Sequence, residues 1–202
     1  RGTLGRCLKG SETNIILLNS HKHSPTESEV FTMSNFIEID PTTLPNNPFQ
    51  MLGRDWALVT VSDPDTGKVN TMTVSWGAMG VLWGKNTVTI YIRPQRYTHD
   101  FLEKTDHFTL SFYDGMRDAL TLCGRTSGRD GDKIAAAGLH LAGEEEYPWF
   151  AESKLVFCCN ILYRSAFDPA KMADGIDEKN YPAQDYHDVY VAEIVKTLEK
   201  AD

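Results

Sequence analysis

The sequence predicts a mainly β fold, an antiparallel barrel with short helical insertions, and three observations carry that prediction. About six segments alternate apolar with polar residues and are rich in Val, Ile, Thr, Tyr and Phe, the pattern of half-buried strands. The stretches between them are too short for the long helical crossover that each parallel strand pair needs. No G-x-G-x-x-G follows a strand, so a doubly wound dinucleotide fold is not supported.

The elements follow in order. "WALVTVS" (Trp56 to Ser62) reads as a strand, and "DPDTGK" after it holds the Pro, Asp and Gly of a turn. "VNTMTVSW" (Val69 to Trp76) resumes the alternation, so the two make a hairpin. "NTVTIYI" (Asn86 to Ile92) is a third strand, which Pro94 stops. In "THDFLEKT", Thr98 is the expected N-cap of a short helix, with Asp100 in its first turn. "HFTLSFY" (His107 to Tyr113) is another strand and "MRDALTLCG" a helical turn. "SGRDGDKIAAAGL" is a loop entering a helix that Gly138 ends. "YPWF" (Tyr147 to Phe150) packs on the barrel or covers a ligand face, packing being the simpler reading. Two long strands, "SKLVFCCNILYRSAF" and "DVYVAEIVKTLEK", close the chain. The polar "DPAKMADGIDEKNYPAQDYH" between them reads as a surface excursion.

Length and composition suit one domain. The chain has 202 residues, of which 41% are hydrophobic and 24% charged, the balance of an ordinary globule. A formal net charge of -8 gives no general attraction to nucleic acid or to an anionic membrane. No run of about 18 apolar residues suggests a membrane-spanning helix. The domain is expected over residues 33–202, with 1–32 an N-terminal extension or an arm foreign to the domain, because the regular pattern begins only after Met33. Cys7, Cys123, Cys158 and Cys159 form no C-x-x-C pair, and adjacent strand residues face opposite sides. They read as buried or half-buried thiols of a cytoplasmic protein.

Two stretches carry chemistry. On a strand, Thr71, Thr73 and Ser75 share one face and Met72, Val74 and Trp76 the other. With Val74 and Trp76 buried, the hydroxyl face lines something polar, and Gly77, Gly80 and Gly84 let a flat ring approach the backbone. Arg93, Arg96 and the helix start at Thr98 then make a seat for a monophosphate. A solvated strand edge and a pair of surface arginines explain the same residues without a ligand. There is no Ser-His-Asp pattern and no metal-ligand spacing. His99 alone among the histidines stands near this site, as a ligand contact or a solvated helix position; His140 and His187 sit beside surface loops.

"NTMTVSWGAMGVLWGKNTVTIYIRPQRYTHDFLEKTDHFTLSFY" resembles the flavin reductase-like, FMN-binding split-barrel family. There an N-x-M-T-x-S-W strand, a strand ending in I-R-P-x-R-Y-T and an F-T-L-S-F strand occur in this order. "CGRTSGRDGDKIAAAGL" is similar to the family's S-G-R-D-x-D-K loop, and the resemblance covers Phe49 to Phe167. It implies a Greek-key split barrel, flavoredoxin-like, and a homodimer with FMN at the subunit boundary. Thr73, Ser75, Trp76 and Gly77 would flank the isoalloxazine, and Arg93, Arg96, Tyr97 and Thr98 would hold the ribityl phosphate. Ser127, Gly128 and Lys133 would close over the phosphate or ring edge, Lys133 as the cation beside the reduced ring. A loop-to-helix cap also explains Ser127 and Gly128. The activity implied is hydride transfer from NAD(P)H to FMN, with a partner oxygenase among the candidates for using the reduced flavin. The alternatives are an electron-transfer FMN protein reduced by a protein donor and a non-catalytic flavin binder.

Overall fold

A computed structural model of the chain describes residues 35–201. The expected arm at 1–32, the domain start at Met33, Cys7, His21 and His23 lie outside the described residues. The strands are β1 (Phe36–Glu38), β2 (Ala57–Ser62), β3 (Val69–Val74), β4 (Gly77–Leu82), β5 (Lys85–Ile92), β6 (His107–Phe112), β7 (Leu141–Gly143), β8 (Pro148–Phe150), β9 (Leu155–Ala166) and β10 (Asp188–Lys200). The helices are short: α1 (Pro48–Gln50), α2 (Tyr97–Leu102), α3 (Arg117–Arg125), α4 (Lys133–Ala136) and α5 (Ile176–Asn180).

One antiparallel sheet runs β3-β2-β6-β9-β10-β5-β4, with β1 added to β10, and β7 pairs β8 separately. β3 and β4 stand at opposite ends of that order, yet only Ser75 and Trp76 join them in the chain. So short a link brings the two ends of the sheet side by side. The sheet therefore curls into a barrel split along the β3/β4 seam, and the expected mainly β split barrel with short helical insertions is what the chain forms.

The alternation explains the core. Ala57, Val59 and Val61 of β2 enter the barrel interior with Met72, Val74, Ile90, Phe108, Leu110, Phe157 and Tyr190. Leu58, on the opposite face, packs instead with Leu120 and Cys123 of α3 and with Phe150. β2 is thus covered on both sides, which is why its polar Thr60 is buried too and bonds the Thr71 hydroxyl at 3.0 Å. Cys158 and Cys159 divide as expected, Cys159 into the barrel and Cys158 into a cluster with Trp149, Val156 and Leu198.

Three expectations are corrected, after one stretch that had no element assigned: Gly77–Leu82 is a strand, and the turn after it is Trp83-Gly84, both with positive φ (52° and 73°), as a tight hairpin requires. The helix at Thr98 starts two residues early: Arg96 is the N-cap without a side-chain cap bond, and the Thr98 hydroxyl accepts from Asn70 Nδ2 at 2.8 Å. Trp76 is not in the core but 50% exposed, because the chain leaves β3 at the seam before reaching it. The excursion after β9 is more than surface, since it walls the cavity described next. Residues 36–55, for which the pattern offered no reading, form β1, two short turns and a π turn at Met51–Asp55 that ends at Trp56 with φ 69°.

Candidate functional site

The seam is also the cavity. A cleft of about 180 Å³ is lined by Thr73, Ser75, Trp76, Arg93, Arg96 and His187, among others. It shares Ser75, Trp76 and Tyr91 with a groove of about 640 Å³ whose walls include Phe49, Leu52, Gly77, Met79, Phe167 and Tyr181. The cleft has guanidinium groups in it, and no residue lining the groove is charged. A polar end and an apolar, aromatic end therefore meet at Trp76.

The polar end is built on α3. Thr73 donates its hydroxyl to Leu120 O, and Arg96 Nη2 donates to Gly124 O at 2.8 Å. Lys133 is buried, with Nζ donating to Cys123 O at 3.1 Å and Thr126 O at 3.0 Å. Cations at a helix C-terminus complement its free carbonyls and dipole. Among the described residues, neither Arg96 nor Lys133 makes an ion pair with a carboxylate. Burial lowers the pKa of Arg96 and brings Lys133 down to about 8, with the Arg96 charge adding to the effect on Lys133. A half-buried guanidinium and a buried ammonium thus both rest on the backbone carbonyls at the end of α3.

The second loop reaches the start of α2. Ser127 Oγ accepts from Arg129 N at 3.2 Å, Arg129 donates to Gln95 O and Asp100, and its guanidinium lies 4.6 Å from the Tyr97 ring centroid. Gly128 passes so close that an added Cβ would stand 2.3 Å from Asn70 Oδ1 and 3.2 Å from Tyr97 Cδ1. Thr98, Tyr97, Ser127 and Gly128 are thus one cluster, tied to Asn70. Gly77 is constrained at the other end, where a Cβ would meet Thr89 O at 2.7 Å and Leu52 Cδ1 at 3.2 Å.

Not every expected residue is free for a ligand. Arg93 lines the cleft, but its guanidinium is engaged by the Asp185 carboxylate and Asn180 O. Lys133 lines neither cavity and points at backbone carbonyls. His99 is paired with Asp188, Nε2 to Oδ2 at 2.6 Å. The pattern missed His187, which lines the cleft, contacts Trp76 (ring centroids 5.4 Å apart) and meets the Tyr181 hydroxyl at 3.0 Å through Nδ1. Burial, aided by the Arg93 charge, holds its pKa down to about 4, so it is a neutral imidazole. Phe49, Leu52, Phe167 and Tyr181 were missed as well. The concentration of Tyr181, Tyr186 and His187 in an otherwise polar stretch was the available signal. No group of three or more His, Cys, Asp or Glu among the described residues could hold a metal ion, and no helix among them is long and apolar enough to cross a membrane.

Residues 50–202 match the model of the flavin reductase like domain. The chain belongs to this family. Similar solved structures include flavoredoxin from Methanosarcina acetivorans, at 19% identity and TM-score 0.57 over 72% of this chain and 68% of that one. An FMN-binding protein from Thermus thermophilus, solved with bound p-hydroxybenzaldehyde, has 24% identity and TM-score 0.57 over 80% of each chain. An NADH:FAD oxidoreductase of Streptomyces globisporus has 17% identity and TM-score 0.52 over 72% of this chain and 75% of that one. At such identities the likeness establishes the fold. No curated protein sequence matches the chain.

Proposed function

We propose that this flavin reductase-like protein binds FMN across the seam and passes hydride from NAD(P)H to it. The observation that carries the reading is Arg96, a cation without a carboxylate partner among the described residues, in a cleft that opens onto an uncharged aromatic groove. A flavin mononucleotide has that division, a phosphate at one end and a flat ring at the other. Arg96 keeps free donors for phosphate oxygens, and the Tyr97–Thr98 start of α2 and the Ser127–Gly128 loop stand beside it. Thr73, Ser75, Trp76 and Gly77 present hydroxyls, an indole and close backbone to the ring. Lys133 stiffens the carbonyl turn that orients Arg96 and supplies positive charge behind it.

The cofactor, when bound, accepts and releases hydride; the protein orients it and keeps its phosphate neutralised. Neutral His187 beside Trp76 adds a polar contact without adding charge. The exposed apolar residues along the seam and β4, Phe49 at 87%, Trp76 at 50%, Val81 at 74% and Trp83 at 66%, support a homodimer that covers this edge. An oxygenase or an electron-transfer protein is the class of partner for the reduced flavin. The alternative is an electron carrier of the flavoredoxin kind, reduced by a protein rather than by NAD(P)H.

The test of the site is a comparison of FMN with riboflavin. Arg96→Ala should weaken FMN binding by roughly 1.5–3 kcal/mol, the range for a lost charge-assisted contact, and leave riboflavin binding unchanged. Equal effects on both flavins would remove Arg96 from the phosphate end.

A further inference from the structure

The π turn that leads into β2 carries a second pair of cations. It ends at Trp56, whose φ of 69° and ψ of 167° form a backbone conformation that residues other than glycine rarely adopt. Contacts from α3 hold it there. Arg117, the first residue of α3, donates through Nη2 to Arg54 O at 2.8 Å, and its guanidinium lies 3.6 Å from the Trp56 ring centroid. A guanidinium stacked on an indole is fixed in place, and its remaining edge donors stay open to a planar or tetrahedral anion.

Neither arginine is accounted for by the protein's own charges. Among the described residues, the arginines paired with carboxylates are Arg93, Arg129 and Arg164. Arg54 and Arg117 are both exposed, and neither has such a partner. Their sequence neighbours do not serve: Asp55 accepts from Gln50 Nε2 at 2.7 Å, and Asp118 forms no ion pair. Carboxylates are not scarce in a chain with 28 Asp and Glu against 20 Lys and Arg. Helix stability does not explain Arg117 either, since the dipole disfavours a cation in the first turn.

The place of the pair narrows its ligand. Leu52 and Gly53 of the same turn line the groove, and the pairing of Ala57 with Val74 sets Trp56 level with Ser75 at the seam. Arg96, by contrast, contacts Gly124 near the far end of α3, roughly 10 Å along the helix from Arg117. FMN has one phosphate, and Arg96 stands where it is proposed to lie. A second anion site beside the groove therefore suits another phosphate-bearing ligand, one that brings a ring to the flavin.

We infer that Arg54 and Arg117 bind the pyrophosphate of the nicotinamide dinucleotide that delivers hydride. The inference rests on the hydride-transfer reading in naming this ligand. The unpaired charges themselves call only for an anion.

The probes are ADP-ribose, which carries the pyrophosphate without the nicotinamide, and adenosine, which carries neither. Each is titrated calorimetrically into the full-length protein, with and without FMN. ADP-ribose should bind at least tenfold more tightly than adenosine, and less tightly as salt is raised. Arg54→Gln and Arg117→Gln should each weaken ADP-ribose roughly tenfold and leave FMN affinity unchanged. Arg54→Gln decides the matter should Arg117→Gln fail to fold, because the Arg54 side chain holds nothing else in place. ADP-ribose bound no better than adenosine would overturn the inference and leave the pair to an acidic protein partner. Variants that bind ADP-ribose like the parent, or an equal loss of FMN in Arg54→Gln, would overturn it too. NADH is mixed anaerobically with the same proteins as a separate reading. If ADP-ribose binds as expected while NADH leaves the flavin oxidised, the hydride-transfer reading fails and the anion site stands. If NADH reduces the flavin of parent and variants at the same concentrations, the site fails and the hydride-transfer reading stands.

Discussion

At the residue scale, the site depends on polar groups placed where water cannot reach them. His187 is the sharpest case. Its pKa in the fold is about 4, against 6.5 for an unperturbed histidine, because burial beside Arg93 disfavours the imidazolium. As pH falls, the unfolded chain therefore takes up this proton before the folded one does. The stability from neutral His187 is complete above about pH 6.5, declines as pH drops towards 4 and is absent below that. The total is on the order of 3 kcal/mol. Urea unfolding at a series of pH values should show this slope, and His187→Gln should flatten it; an unchanged slope in the variant would assign it to other groups. None of this was legible in the chain, because His187 becomes special through Arg93 and Trp76, both distant in sequence. Lys133 is similar. Its place in the S-G-R-D-x-D-K loop was readable, whereas its burial against the carbonyls of α3 belongs to tertiary packing.

At the element scale, the contact between the second loop and β3 decides how the polar end of the cleft is formed. Gly128 and Asn70 come together because a glycine lets the second loop lie on β3, and Asn70 then bonds Thr98. Gly128→Ala should push Asn70 off Thr98 and cost roughly 1–3 kcal/mol, as overpacking of a tight site does. The cost should shrink in an Asn70→Ser background, since contacting residues are not additive; equal costs in both backgrounds would contradict the contact. The strands were legible because β2, β5, β6, β9 and β10 sit between neighbours, and β3, although at one end of the sheet, is covered by α3. β4 was not, since an edge strand with Ala78, Gly80 and Val81 exposed has no buried face to impose a pattern. Nor was the place of the excursion between β9 and β10 as a wall of the groove, since its polar composition describes its outer face. Its attachment is a pairing of Arg93 with Asp185 across 92 positions.

At the scale of the whole molecule, a barrel split along one seam leaves a cleft and a groove at its margin and exposed apolar residues beyond them. A second copy covering β4 would bury Val81 and Trp83 and complete the open side of the groove. Trp83→Glu should therefore yield a smaller particle by sedimentation and a lower FMN affinity together. A particle of unchanged size with unchanged FMN binding would place any dimer contact elsewhere. The family was readable from the ordered series of strand motifs, but donor, acceptor and partner are not written as motifs, because they meet a surface that the fold assembles.

The most direct measurement is the visible absorbance spectrum of the protein after incubation with FMN and removal of unbound flavin, taken anaerobically before and after NADH is added. Flavin should be retained, and its visible bands should bleach on adding NADH. Retained flavin that stays oxidised would contradict the hydride-transfer reading and favour the electron carrier, and a protein that retains no flavin would contradict the site itself.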